Sequence, residues 1–185
     1  KYIFAGMAAM SVVACSEDAL ETSPSSSVSG NELLGTATNA LVSLNGVYRA
    51  MYTAGVSNSS NTHQCFGITA YNLVADVMGE DCIMNGQGSG WFWYDCVYNV
   101  KSRYTSTGWR SYDMWNGYYT WISNVNYILA EEETMSGSET EKNYVLGQAY
   151  AVRAYSYFML AQMFSRTYKG HESERRHILI NTKAQ

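Results

Sequence analysis

Four consecutive aromatic residues, Trp91, Phe92, Trp93 and Tyr94, follow a run in which Gly86, Gly88 and Gly90 alternate with Gln87 and Ser89. Glycine lets a backbone turn tightly and come close to a ligand. Flat rings on such a loop can stack on the apolar C–H faces of a sugar. Asp81, Asn85, Gln87 and Asp95 stand nearby in sequence to bond its polar edges. Asp81, Asn85, Trp91, Trp93 and Tyr94 therefore form a candidate ligand-binding set. The competing reading of the same run is a hairpin packed onto neighbouring helices.

Other chemistry finds less support. Asp76, Glu80 and Asp81 are close enough in sequence to pair as two carboxylates do in glycoside cleavage. No nucleophile elbow, phosphate loop or HExxH accompanies them, so no catalytic residue is assigned and no enzyme is expected. Glu131-Glu132-Glu133 closes a helical pattern and reads as a solvated run. His63, His171 and His177 are not spaced with Cys65, Cys82 and Cys96 as a metal site requires, and neither metal nor cofactor is expected. Those three cysteines include at least one unpaired thiol, and burial is the default for a free cysteine. Arg153 reads as a structural arginine that bonds a carboxylate or a helix end.

The N-terminus carries a different kind of chemistry. Lys1 precedes an apolar run from Ile3 to Ala14, too short for a permanent span of about 20 residues, and the combination reads as a signal peptide over 1–14. Val12-Val13-Ala14-Cys15 resembles a bacterial lipobox, which implies lipidation of Cys15. Residues 15–30 are polar, with Pro24 amid serines, and read as a flexible lipidated tether. One acyl chain holds a membrane only marginally, so two or three would be needed for a firm anchor.

These candidate sites need elements to position them. The chain has 185 residues and a formal charge of −4 with no basic run, which argues against nucleic acid. Aromatics at 14% argue against disorder, and the single proline, Pro24, leaves helix open to everything after it. Apolar residues recur in steps of three and four at Leu34, Ala37, Leu41, Leu44, Tyr48 and Met51, predicting a helix over 31–52 capped by Asn31. Phe66, Ala70, Leu73 and Val77 predict a second over 63–78. Trp115, Tyr118, Ile122, Val125 and Leu129 predict a third over 111–130. A fourth runs from Ser138 to Phe164 on Val145, Val152, Met159 and Met163, with Ala149 and Ala154 allowing a close neighbour and Ser138/Glu141 at capping-box spacing. Trp115, Tyr118, Trp121 and Tyr155 repeat at helical spacing and read as core. Loops fill 54–62 and 80–108. Leu146-Gly147-Gln148-Ala149-Tyr150 and Ala154 to Phe158 match pieces of the tetratricopeptide signature, but too close together for one true repeat. The fold expected is all-α, with divergent tetratricopeptide-like helix pairs and long ligand-facing loops.

The stretch from Trp115 to Leu129 resembles a W-x-x-x-Y-x-x-I-x-x-x-N-x-I-L helix, slightly shifted, and Gly147 to Phe164 resembles a helix with R-A-x-x-Y-F-x-L followed by an aromatic. With the lipobox and tether, these resemble the SusD/RagB family of outer-membrane lipoproteins of Bacteroidetes over residues 1–170. Full members are longer, so 31–170 reads as the N-terminal helical part. The segment 171–185 is an atypical tail where the family continues with a proline-containing stretch, and suggests truncation; a short paralogue is the alternative. The resemblance implies a surface-exposed lipoprotein, anchored in outer-membrane lipid by N-terminal acylation. It would bind oligosaccharides or related nutrients and deliver them to a SusC-like TonB-dependent transporter. A helical-repeat scaffold that binds a peptide or protein partner is the other reading.

Overall fold

A helix starts well where its first free amides find an acceptor, and two such starts organise the chain. Ser138 Oγ accepts from the Glu141 amide at 3.3 Å, and the Glu141 carboxylate accepts from the Ser138 amide at 3.0 Å. This is the capping box expected from the sequence. Thr36 Oγ1 accepts from the Asn39 amide at 3.1 Å. Ala37 N donates to Ser136 O at 2.8 Å and Ser136 N to Gly35 O at 3.0 Å, so the two starts are tied side by side. The computed structural model describes residues 33–58, 60–98, 108–167, 169, 170, 178 and 180–183. The signal peptide, tether and Cys15 expected at 1–30 lie outside the described residues.

The helices are α1 (Ala37–Ala50), α2 (Ile68–Val77), α3 (Trp93–Cys96), α4 (Trp109–Ala130) and α5 (Glu139–Phe164). Among the described residues there is no strand, only the isolated parallel bridge Thr36–Ser136, and the fold is all-α as expected. α4 and α5 make the most extensive helix contact, joined by the turn at 131–138, and α1 packs against both. No described helix is long and apolar enough to cross a membrane.

Two helix starts differ most from the periodicity, and the third predicted helix begins two residues early, at Trp109. α1 begins at Ala37, where Thr36 supplies the cap, and the expected cap Asn31 lies outside the described residues. α2 begins at Ile68 rather than residue 63 because Gly67 takes φ +68° and breaks the pattern. Its backbone passes so close to Met51 O that a Cβ there would overlap it, while Ile68 N donates to the same carbonyl at 2.8 Å. That contact ties the start of α2 to the end of α1.

The core lies where α1, α2, α4 and α5 meet. Leu34, Ala37, Leu44 and Met51 of the predicted stripe are buried together with Ala40 and Val47, while Leu41 and Tyr48 are half-buried. Tyr118 and Trp121 of α4 sit against Tyr71 of α2 at centroid distances of 5.3 and 5.9 Å. All three are buried, and aromatic pairs of this kind add about 0.5–1.5 kcal/mol each beyond the area they bury. Gly117 makes room for them, since a Cβ there would meet the Tyr71 hydroxyl. From α5 come Val145, Leu146, Ala149, Val152, Ser156 and Leu160.

Some expected core residues lie elsewhere. Trp115 is 41% exposed; its ring packs on Tyr119 at 4.6 Å and on the edge of Phe164, the last residue of α5, at 5.1 Å, where the covering helix ends. Tyr155, Met159 and Met163 are half-buried, and Ala154 is exposed. Leu73 is exposed because α2 turns Ala70, Tyr71 and Val74 inward instead. Arg153 bonds the amide oxygen of buried Asn126 at 3.0 Å and lies over the Tyr150 ring, rather than meeting a carboxylate or helix end.

Candidate functional site

The aromatic run is neither an open loop nor a hairpin. Gly88 and Gly90 take φ of +50° and +83°, Gly90 N donates to Gln87 O at 2.7 Å, and Phe92 takes φ +57°. These turns lead directly into the single helical turn α3, where Cys96 N donates to Phe92 O and Val97 N to Trp93 O, both at 3.0 Å. A four-residue helix cannot hold itself, so its order comes from outside.

Three fastenings supply that order. Phe92 N donates to Gln64 Oε1 at 2.7 Å. Tyr98 OH donates to Met78 O at the end of α2. The third is a buried ion pair: Arg110, in the first turn of α4, donates through Nη2 to Asp95 Oδ2 at 3.0 Å and through Nη1 to Gln64 O at 2.8 Å. The guanidinium lies 5.1 Å from the Phe92 ring centre and 4.2 Å from that of Trp109. Arg110 and Asp95 are buried. A planar fork that bonds two partners while stacked on rings suits arginine and not lysine. One residue thus holds the 57–67 loop, α3 and α4 in a fixed relation.

Behind it lies a second buried polar cluster. Ser57 Oγ donates to Asp113 Oδ1, Tyr71 OH donates to Asp113 O at 2.9 Å, and Asn116 Nδ2 donates to Ser57 O at 2.8 Å. Burial pushes the Arg110 pKa down to about 10, opposed by the negative charge on its neighbours, so it remains a cation at neutral pH. Burial raises the Asp113 carboxyl against the hydrogen bonds that favour its charged form. Burial, then the charge of Asp113, pushes the Cys65 thiol up to about 12. Such a thiol is inert at neutral pH. Cys65, Cys82 and Cys96 are free; Cys65 is buried as expected, Cys96 is half-buried, and Cys82 is exposed because the segment carrying it lies on the surface.

The fastened segment presents rings to solvent. Trp91 is 52% and Tyr94 57% exposed, while Trp93 is half-buried. Trp91 lies 5.1 Å from the exposed ring of His63, which limits its rotation from one side. Asp81 and Asn85 are exposed, and no hydrogen bond or ring contact joins them to the aromatic residues. Asp95 cannot serve a sugar edge, because it is buried against Arg110. Sequence reasoning missed Arg110, Asp113, His63 and Gln64. Arg110 and Asp113 left a faint signal, two opposite charges three apart at the start of a helix whose other face is apolar. Among the described residues no group of His, Cys, Asp and Glu could hold a metal ion.

What remains is a rigidly backed pair of exposed rings, which can stack on a flat ligand. The SusD-like family model described as starch-binding associating with outer membrane matches residues 76–184, which includes this segment, α4 and α5. No curated protein and no solved structure matches the chain.

Proposed function

Because the chain belongs to the SusD-like family, described as starch-binding and associating with the outer membrane, we propose that it captures glucose oligomers on Trp91 and Tyr94. The observation that carries this reading is the exposure of those two rings on a segment fixed by Arg110, Gln64 and Tyr98. Rings held in place before binding lose little freedom when a sugar stacks on them, so more of the contact energy goes into affinity. Asp81 and Asn85, exposed earlier in the same segment, supply hydrogen bonds to hydroxyls, and Trp93 forms the half-buried floor. The chain binds and does not cleave.

In this account Cys15 carries the lipid, residues 15–30 form the tether, and 31–170 form the binding part. The protein stands on the cell surface and passes its oligosaccharide to a SusC-like TonB-dependent transporter. That transporter supplies the energy, so capture must be reversible and of modest affinity.

Electrophoresis through gels containing soluble starch or other polysaccharides tests the binding step. The expected result is retardation by starch; unaltered mobility in every gel would overturn the reading. Cys15→Ala tests the anchor, and should move the protein from the membrane to the soluble fraction.

A further inference from the structure

One face of α4 carries a row of half-buried polar residues and a tyrosine. Asn116, Tyr119, Thr120 and Ser123 recur there at spacings of three and four and so share a side of the helix. With Ile122 and Asn181 they line a cavity of about 290 Å³. None of these residues belongs to the segment that carries Trp91 and Tyr94.

The walls are fixed before any ligand arrives. The Tyr119 ring is set by Trp115 at 4.6 Å and by the edge of Tyr157 at 6.4 Å. Asn181 is pinned by the Tyr157 hydroxyl, which lies 2.5 Å from both its main-chain N and O, and Asn126 Nδ2 donates to its carbonyl at 3.0 Å. Asn116 spends its amide nitrogen on Ser57 O at 2.8 Å, which leaves its amide oxygen as an acceptor. The hydroxyls of Thr120 and Ser123 have no hydrogen-bond partner among the described residues.

The chemistry of the lining selects a ligand class. None of the described residues that line it is charged, so none of them offsets the desolvation of a phosphate, a carboxylate or an ammonium. The half-buried Tyr119 ring lines the cavity together with two hydroxyls and amide groups, while Ile122 beneath is buried. That mixture matches a neutral molecule with apolar C–H faces and hydroxyl edges. The volume sits at the floor of the range of roughly 300–1,000 Å³ usual for small-molecule sites, which suits one ring and not a chain.

We infer that this cavity is a second carbohydrate subsite, taking a single glucopyranose ring with the Tyr119 ring as its apolar wall and Asn116, Thr120 and Ser123 bonding its hydroxyls. The inference rests on the glucan-binding reading above and adds a second point of contact to it. A site of this size takes a terminal sugar, whereas the exposed rings take the body of an oligomer.

The test is a titration of the isotope-labelled full chain with D-glucose and separately with maltoheptaose, followed by NMR. Glucose is expected to shift the signals of Tyr119, Thr120 and Ser123 and to give intermolecular NOEs from its ring protons to Tyr119. Thr120→Val combined with Ser123→Ala should weaken that response at least tenfold and leave the maltoheptaose shift of the Trp91 indole unchanged. Maltoheptaose shifts at Trp91 with no glucose response at Tyr119 would overturn the subsite and leave the glucan reading standing. Silence at both places would overturn both. The NOE measurement on the unaltered chain decides the matter even if the double variant does not fold.

Discussion

Replacing Arg110 by Met should destabilise this fold strongly. The guanidinium is 3% exposed and its Asp95 partner 7%, with Nη2 and Oδ2 at 3.0 Å. Met preserves much of the apolar stem but removes the cation from a carboxylate that stays buried. Breaking a buried ion pair from one side costs about 3–5 kcal/mol. Gln64 O loses its 2.8 Å donor as well, and the stacking on Phe92 and Trp109 goes with it. Set against a typical total stability of about 5–15 kcal/mol, the lower figure alone shifts the folding equilibrium by roughly a hundredfold. Urea titration followed by far-UV circular dichroism reads the global loss. Tryptophan fluorescence reads whether the segment with Trp91 and Trp93 comes away first. Arg110→Lys should recover only part of the stability, because an ammonium cannot hold Asp95 and Gln64 together. Arg110→Met with Asp95→Leu should recover most of it, since an apolar pair replaces a buried ion pair at little cost. A loss below about 1 kcal/mol for Arg110→Met, the range of an exposed pair, would refute the claim that this contact fastens the site.

Three further outcomes follow from the same structure. Gly67→Ala should lower the urea midpoint by the equivalent of at least about 1–3 kcal/mol, because φ +68° strains any residue with a Cβ and that Cβ would overlap Met51 O. Maleimide labelling of the native chain at pH 8, mapped by peptide, should modify Cys82 quickly and Cys65 only on unfolding, as burial and a thiol pushed up to about 12 both protect Cys65. Ser138→Ala should cost about 1 kcal/mol and flatten the acid limb of the stability curve. The Ser138 hydrogen bonds lower the Glu141 pKa below its ordinary 4.5, so that contribution is present above 4.5 and lost as pH falls through the lowered value.

Local chemistry was the part of this protein that the sequence made legible. The start of α5 needed only Ser138 and Glu141 three residues apart, and both act on amides within one turn. α4 was legible because Tyr118, Ile122, Val125 and Leu129 keep one helical face buried along its length. Features set by distant partners were not legible. The true start of α2 depends on Gly67 meeting Met51, and nothing near residue 67 reports where Met51 O lies. Asp95 looked like a polar group free for a ligand, because Arg110 reaches it only after the chain has folded back across a gap of 15 residues. Trp115 has the spacing of a core residue, but α5 ends at Phe164 beside it, and a helix length in one part of the chain decides exposure in another. Of the binding set, Trp91 and Tyr94 stand exposed as a binding role requires, Trp93 less so, and Asp81 and Asn85 lie exposed with no contact to the rings.

The measurement closest to the central claim is calorimetric titration of the chain with maltoheptaose, beside the same titration of Trp91→Ala combined with Tyr94→Ala. Both rings are more than half exposed, so the double variant should keep its thermal transition. At about 1 kcal/mol for each stacked ring, the dissociation constant should rise roughly thirtyfold. An unchanged dissociation constant in a folded double variant would contradict the account and place glucan capture on another part of the protein.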